Sequence, residues 1–181
     1  MKVKSVVTLL IAGSGIALSA GHVLATPSSG LTATTLAKSL FEPLDVEGHV
    51  SSADACQSSQ GKIEDWERCA GWKARANTGG PSDVWVVDNK LVPGGTTGWH
   101  SHPGPSLILV VAGTVTNYTS DDPSCTGHAY SAGQGFVDPG GTHVHILRNE
   151  DSLPAETIAV QLLPRDAVRR IDAPDPGNCH F

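Results

Sequence analysis

Two histidine pairs of the form His-x-His, His100-Ser101-His102 and His143-Val144-His145, constrain this chain of 181 residues more than any other feature. Side chains alternate along an extended strand, so His100 and His102 face one surface together, and so do His143 and His145. Each pair stands beside a glycine-rich turn sequence, Pro93-Gly94-Gly95 before the first and Pro139-Gly140-Gly141 before the second. Strands of this kind can meet across a small cavity and present imidazoles inward, which is how a β-barrel builds a metal site. Imidazole ligates zinc, copper, iron and nickel alike, so the pattern specifies a chemistry and leaves the ion open.

The rest of the chain reads as β-structure around those pairs. Leu31 to Leu44 mixes β-branched and apolar residues and is read as a first strand in preference to a helix, ended by Pro43. Residues 45–81 are polar and glycine- and serine-containing, with a short helical turn expected at Ile63 to Arg68 and with Trp66 and Trp72 as packing anchors. From Ser82 onward short strands alternate with glycine turns. Val84 to Val87 continues as Lys90 to Val92, a turn is expected at Pro93-Gly94-Gly95, and Thr97 to His102 forms the next strand. Leu107-Ile108-Leu109-Val110-Val111 is a continuous apolar run, read as a strand buried on both faces. Thr114 to Tyr118, His128 to Ser131, His143 to Arg148 and Thr157 to Leu163 complete the set, before a proline-containing tail at 164–181 expected to lie over the surface. Many short strands with few helices indicate an all-β barrel or sandwich.

Lys2 and Lys4 precede an uncharged apolar run from Val6 to Ala20, and Val23-Leu24-Ala25 ends in a small residue. This reads as a secretory signal peptide over 1–25, which directs the protein to the periplasm or the exterior. The run is shorter than the roughly 20 apolar residues of a spanning helix, so no membrane insertion is expected after cleavage. That segment holds two of the 12 Lys+Arg and none of the 18 Asp+Glu, which leaves the remainder near −8. Its acids are scattered and no basic face is apparent, which argues against nucleic acid and anionic membranes as partners. Four cysteines in an exported chain suggest two disulfides. Of the three connectivities, Cys56–Cys69 closing a local loop and Cys125–Cys179 tying the tail to a hairpin loop are favoured.

The residues around both pairs resemble the motifs of the cupin superfamily, and in particular of small exported bacterial single-domain cupins. Gly94, His100, His102 and Gly113 fall where the first motif has its glycine, its two histidines and its last glycine, while Ser106 stands at the glutamate position. Gly133, Pro139, Gly141, His145 and Asn149 match the second motif, with one additional residue before the histidine. The resemblance covers about Val84 to Leu163 and implies a cupin jelly-roll barrel within 82–163, preceded by an N-terminal strand and a Cys56/Cys69 insertion over 26–81 and followed by the tail at 164–181. It also implies that His100, His102 and His145 bind a divalent transition metal (iron, manganese, zinc, nickel or copper), with His143 as a fourth ligand or a residue behind the ligands. A serine hydroxyl binds such an ion far more weakly than a carboxylate. A three-histidine centre therefore leaves more positions for water, dioxygen or a chelating small molecule.

Trp99, Ser106, Phe136 and Asn149 are the residues expected to line a substrate space, with packing or structural hydrogen bonding as the competing reading for each. Two functions of different class remain. One is an exported metalloenzyme, dioxygenase-like on a small chelating substrate, or an isomerase or lyase with another ion. The other is a non-catalytic barrel that holds a small molecule or a metal. Fold alone does not choose between them. Pairing of two copies through strand edges is a further expectation.

Overall fold

The computed structural model describes residues 24–50 and 72–181. Most of the expected signal peptide, the Cys56–Cys69 bridge, the turn at Ile63 to Arg68 and Trp66 all fall outside the described residues. Among those described, all regular structure is β. The first strand, β1 (Ser29–Phe41), pairs antiparallel with the long β4 (Ser82–Thr96). Between them β2 (Asp45–Val50) and β3 (Trp72–Asn77) form a separate two-stranded ladder that brackets the undescribed stretch.

The barrel is one sheet of ten strands. Its remaining members are β5 (His100–Ser101), β6 (Ser106–Ala112), β7 (Thr114–Thr119), β8 (His128–Ser131), β9 (Gly135–Asp138), β10 (His145–Arg148), β11 (Ala155–Pro164) and β12 (Ile171–Asp172). Along the main path they are ordered β12-β5-β10-β4-β11-β6-β9, with β1 added on β4 and β7 bridging β10 and β8. The jumps in strand order from β10 to β4 and from β4 to β11 make a jelly roll, and the sheet curls into a nearly closed barrel.

Alternation builds the interior. On β11 the residues Ala155, Thr157, Ala159, Gln161 and Leu163 are buried, while those between them are half-buried. Three small apolar clusters fill the barrel. Leu91, Val110, Val115 and Ala155 form one, Val87, Ile108 and Ala159 a second, and Trp99, Ile146, Ala173 and Cys179 a third under the tail.

Three expectations are corrected here. Pro93-Gly94-Gly95 does not turn the chain: β4 runs through it to Thr96, with Gly94 at φ +72°. The strand expected over Thr97 to His102 shrinks to His100–Ser101. The apolar run of β6 is buried on one face only, since Leu107, Leu109 and Val111 are 54%, 46% and 48% exposed while Ile108 and Val110 are buried. An apolar run is equally compatible with one buried face and one open one, because periodicity is lost when both faces carry apolar residues.

The tail does more than lie over the surface. Its strand β12 pairs with β5, placing Asp172 opposite His100 and Ile171 opposite Ser101. The Cys125–Cys179 bridge, Cα to Cα 5.2 Å, fastens the tail to the loop after β7.

Candidate metal centre

His100, His102 and His145 converge at one buried point, each offering a ring nitrogen within 4.8 Å of the other two. His100 on β5 lies directly opposite His145 on β10 in an antiparallel pair. Their ring centres are 4.5 Å apart, and the ring of His102 stands 4.9 Å from His100 and 6.1 Å from His145. Pairing thus brings together histidines that are 45 residues apart in the chain.

The hydrogen bonds behind the rings define the tautomers. Nδ1 of His100 is 2.9 Å from the Gly98 carbonyl, Nδ1 of His102 is 2.6 Å from the Arg169 carbonyl, and Nδ1 of His145 is 2.9 Å from Oδ1 of Asn117. All three partners are oxygens that can only accept, so each Nδ1 carries the hydrogen and each Nε2 keeps a lone pair. The Gln161 amide nitrogen is 3.1 Å from Nδ1 of His102 and donates to Oγ of Ser106 at 3.1 Å. A carbonyl at 2.6 Å demands a proton between it and Nδ1, which decides in favour of the Arg169 contact. Arg169 itself donates to Oε1 of Gln161 at 3.2 Å and so orients that amide.

Burial keeps the imidazoles neutral. It pushes His145 down to about 4, against the opposing pull of Asp138. It also holds His100 well below its usual value, reinforced by His145, and lowers His102 against the stabilising bond to the Arg169 carbonyl. Neutral imidazoles with free Nε2 lone pairs are the form that binds a metal ion. The donor set fits a divalent transition metal.

Local structure explains how the first histidine is aimed. Gly98 has φ +67°, and a Cβ there would strike the Thr26 carbonyl. The close approach lets Oγ1 of Thr26 accept the Trp99 amide hydrogen at 2.7 Å. The backbone turned this way presents the Gly98 carbonyl to His100.

A cavity of 170 Å³ opens over the three rings. Leu31, Ile108 and Leu147 give it apolar walls, Ala33 and Ala159 leave the space, and Arg169 and Arg170 line it from the tail. Arg170 is engaged, donating to Oδ1 of Asp172 and to the Thr97 carbonyl, each at 2.6 Å. Arg169 meets no carboxylate among the described residues, and burial together with the neighbouring Arg170 lowers its pKa.

The other expected residues lie elsewhere. His143 precedes β10 in a turn segment, so the alternation that would align it with His145 does not apply. Its Nδ1 lies 3.1 Å from Oδ1 of Asp138, its ring centre is 6.0 Å from that of His145, and it stays outside the three-histidine cluster. Trp99 is buried against Ile146, Ala173 and Cys179 and faces the tail, not the cavity. Phe136 stacks on Tyr130 at 4.5 Å between two core clusters. Ser106 is fully buried, its hydroxyl engaged by Gln161. Asn149 is fully buried too, donating to the carbonyls of Leu91 and Leu153 and accepting from the Asp151 amide, so it ties β4 to the loop after β10. None of these four lines the cavity: each is committed to packing or to hydrogen bonds inside the protein.

Asn117, Asp138, Gln161, Arg169 and Arg170 are the site residues that sequence reasoning passed over. Gln161 did carry a signal, a lone polar residue at an inward position of the apolar run Thr157 to Leu163. The tail arginines carried none, because only the β5–β12 pairing brings them to the rings.

A family model described as a cupin domain matches residues 89–161. Solved structures similar to this chain include a conserved protein of unknown function from Streptococcus pyogenes, 21% identical with TM-score 0.39, over 45% of this chain and 66% of that one. Another is an uncharacterised conserved protein with a double-stranded β-helix domain from Klebsiella pneumoniae, 22% identical with TM-score 0.43, over 51% of this chain and 76% of that one. A third is an oxalate oxidase, 20% identical with TM-score 0.43, over 50% of this chain and 46% of that one. No curated protein matches the chain. The matched segment carries His100, His102 and His145 and both motif stretches within the jelly-roll barrel, and residues 89–161 of this chain form a cupin domain.

Proposed function

We propose that this protein holds a divalent transition metal on Nε2 of His100, His102 and His145 and presents it to a small anionic, chelating molecule in the cavity above. The observation that carries the reading is the set of three carbonyl oxygens, from Gly98, Arg169 and Asn117, that fix all three imidazoles in the metal-binding tautomer. Arg169 supports the anionic character of the ligand, since a guanidinium that lines a small cavity and meets no carboxylate among the described residues is a natural site for one. A bound ion would polarise such a ligand and stabilise negative charge developing on it.

With iron(II) the same site supports dioxygenase-like chemistry, and with other ions an isomerase or lyase reaction. The competing reading is a binding module without turnover. Export through a cleaved segment 1–25 belongs to the proposal on the strength of its basic start and uncharged apolar run. Pairing of two copies belongs to it on the strength of the exposed apolar residues Leu107, Leu109, Val111 and Val137.

Elemental analysis of untagged mature protein tests the reading. Stoichiometric metal that disappears in the His100→Ala/His102→Ala variant supports it, and protein that neither carries nor takes up an ion refutes it. Oxygen uptake by the iron-loaded protein with small diketones, thiols and catechols then separates the enzyme from the binder.

A further inference from the structure

Two buried atoms at the centre lack any hydrogen-bond partner among the described residues: Nε2 of His145 and Oδ2 of Asp138. They are 3.7 Å apart, on side chains 2% and 0% exposed. An imidazole lone pair and a carboxylate oxygen facing each other in a dry interior repel, and each separately carries the penalty of an unmet polar atom. A cation between them removes both costs. With ligand bonds of about 2.1 Å, a separation of 3.7 Å corresponds to an angle of about 120° at a shared ion, within the range of tetrahedral and five-coordinate centres.

The position of Asp138 in the sheet gives this a second support. Asp138 on β9 is the direct ladder partner of Ser106 on β6. Directly paired residues project to the same face with their Cβ atoms about 5 Å apart. Ser106 occupies the place of the missing motif carboxylate, and its hydroxyl is taken by the Gln161 amide. The carboxylate absent at 106 thus reappears on the neighbouring strand, one ladder step across.

The rest of the Asp138 side chain is held in place. Its Oδ1 accepts the Gly140 amide hydrogen at 3.0 Å and faces Nδ1 of His143 at 3.1 Å, which leaves Oδ2 directed at His145. Gly140 permits this cap: it has φ +70°, and a Cβ there would collide with the Gly104 carbonyl.

We infer that Asp138 is the anionic ligand of the centre, completing a three-histidine, one-aspartate set in place of a glutamate at position 106. The inference rests on the metal-binding reading above. Of the three imidazoles only His145 has a nitrogen within 4.0 Å of the Asp138 carboxylate, which stands outside the 4.8 Å group of His100, His102 and His145, so an ion shared by all four draws that carboxylate in toward the cluster. A carboxylate in the set lowers the net charge of the centre and favours a hard-to-borderline divalent ion such as iron(II), manganese(II) or zinc over copper(I).

The test compares native protein with Asp138→Asn, which keeps an acceptor for the Gly140 amide and the side-chain volume. Zinc affinity is measured by competition with a chelating dye, and the cobalt(II) form by its visible spectrum. Loss of a direct ligand should weaken zinc binding by about 100-fold or more, beyond what loss of a supporting hydrogen bond costs, and should shift the cobalt bands. Zinc affinity within about threefold of native, with an unchanged cobalt spectrum, overturns the inference and leaves the three-histidine reading standing. Native protein that binds neither ion overturns that reading itself. Should Asp138→Asn not fold, infrared difference spectra of native protein with and without zinc decide: a shifted carboxylate stretch supports coordination, and its absence overturns it.

Discussion

Oδ1 of Asn117 and Nδ1 of His145 stand 2.9 Å apart on neighbouring strands, both side chains buried, and this contact alone determines which nitrogen of His145 faces the cluster. Asn117→Ala removes the acceptor and frees the ring to turn. We expect zinc affinity to fall by about 10- to 100-fold while the metal-free fold persists. Isothermal titration on the native and variant proteins measures it, and equal affinities would show that the tautomer needs no such support.

Acid should destabilise the metal-free protein in a defined window. In the unfolded chain a histidine titrates near 6.5, whereas burial holds His145 at about 4. Between those values the unfolded chain binds more protons than the folded one. Stability therefore rises with pH through the window and is lost as pH falls from about 6.5 toward 4. His145 alone contributes on the order of 3 kcal/mol of that loss, with His100 and His102 acting in the same direction. The carboxylates whose pKa values are lowered, Asp83, Asp121 and Asp122, act below the window. Urea denaturation at pH 7, 5.5 and 4.5 checks the slope, and His145→Gln should flatten it.

Arg169→Gln separates the ligand from the ion. The variant keeps the backbone carbonyl that holds His102, so zinc affinity should stay within a few-fold of native. Small carboxylates that perturb the cobalt(II) spectrum of the native protein should bind at least about 10-fold more weakly, the loss of one charge-assisted contact. Undiminished carboxylate binding would remove Arg169 from the recognition of the ligand.

The tail bridge should matter to both stability and site. Cys125 and Cys179 are separated by 54 residues, and closing a loop of that size restricts the unfolded chain by about 4 kcal/mol in the entropic account. We expect Cys125→Ser/Cys179→Ser to lose roughly 2 to 4 kcal/mol in chemical denaturation. Anion affinity should weaken as well, since Arg169 and Arg170 are carried by the tail that the bridge fastens. A variant with native stability would mean that β12 and the packing around Trp99 hold the tail unaided.

Much of the centre was legible from residue types and spacing. The two His-x-His pairs, the glycine turn before the second and the order of short strands pointed to a barrel with His100, His102 and His145 inside, because strand periodicity and turn chemistry are local properties. His143 shows where that reasoning stops: period-two alternation holds only while the chain is extended, and at His143 it is turning. The run Leu107 to Val111 shows another limit, since local sequence does not record which face a neighbouring strand will cover.

The amino-acid sequence by itself determined the β architecture, the three imidazoles and a serine, not a carboxylate, at position 106. The tertiary structure decided what surrounds them: that Asp138 lies one ladder step from Ser106, that Asn117 backs His145, and that the tail returns Arg169 and Arg170 to the cavity. The reason is physical. Periodicity constrains neighbours along the chain, whereas contacts across strands depend on register, and register emerges only when the whole sheet has closed around its core.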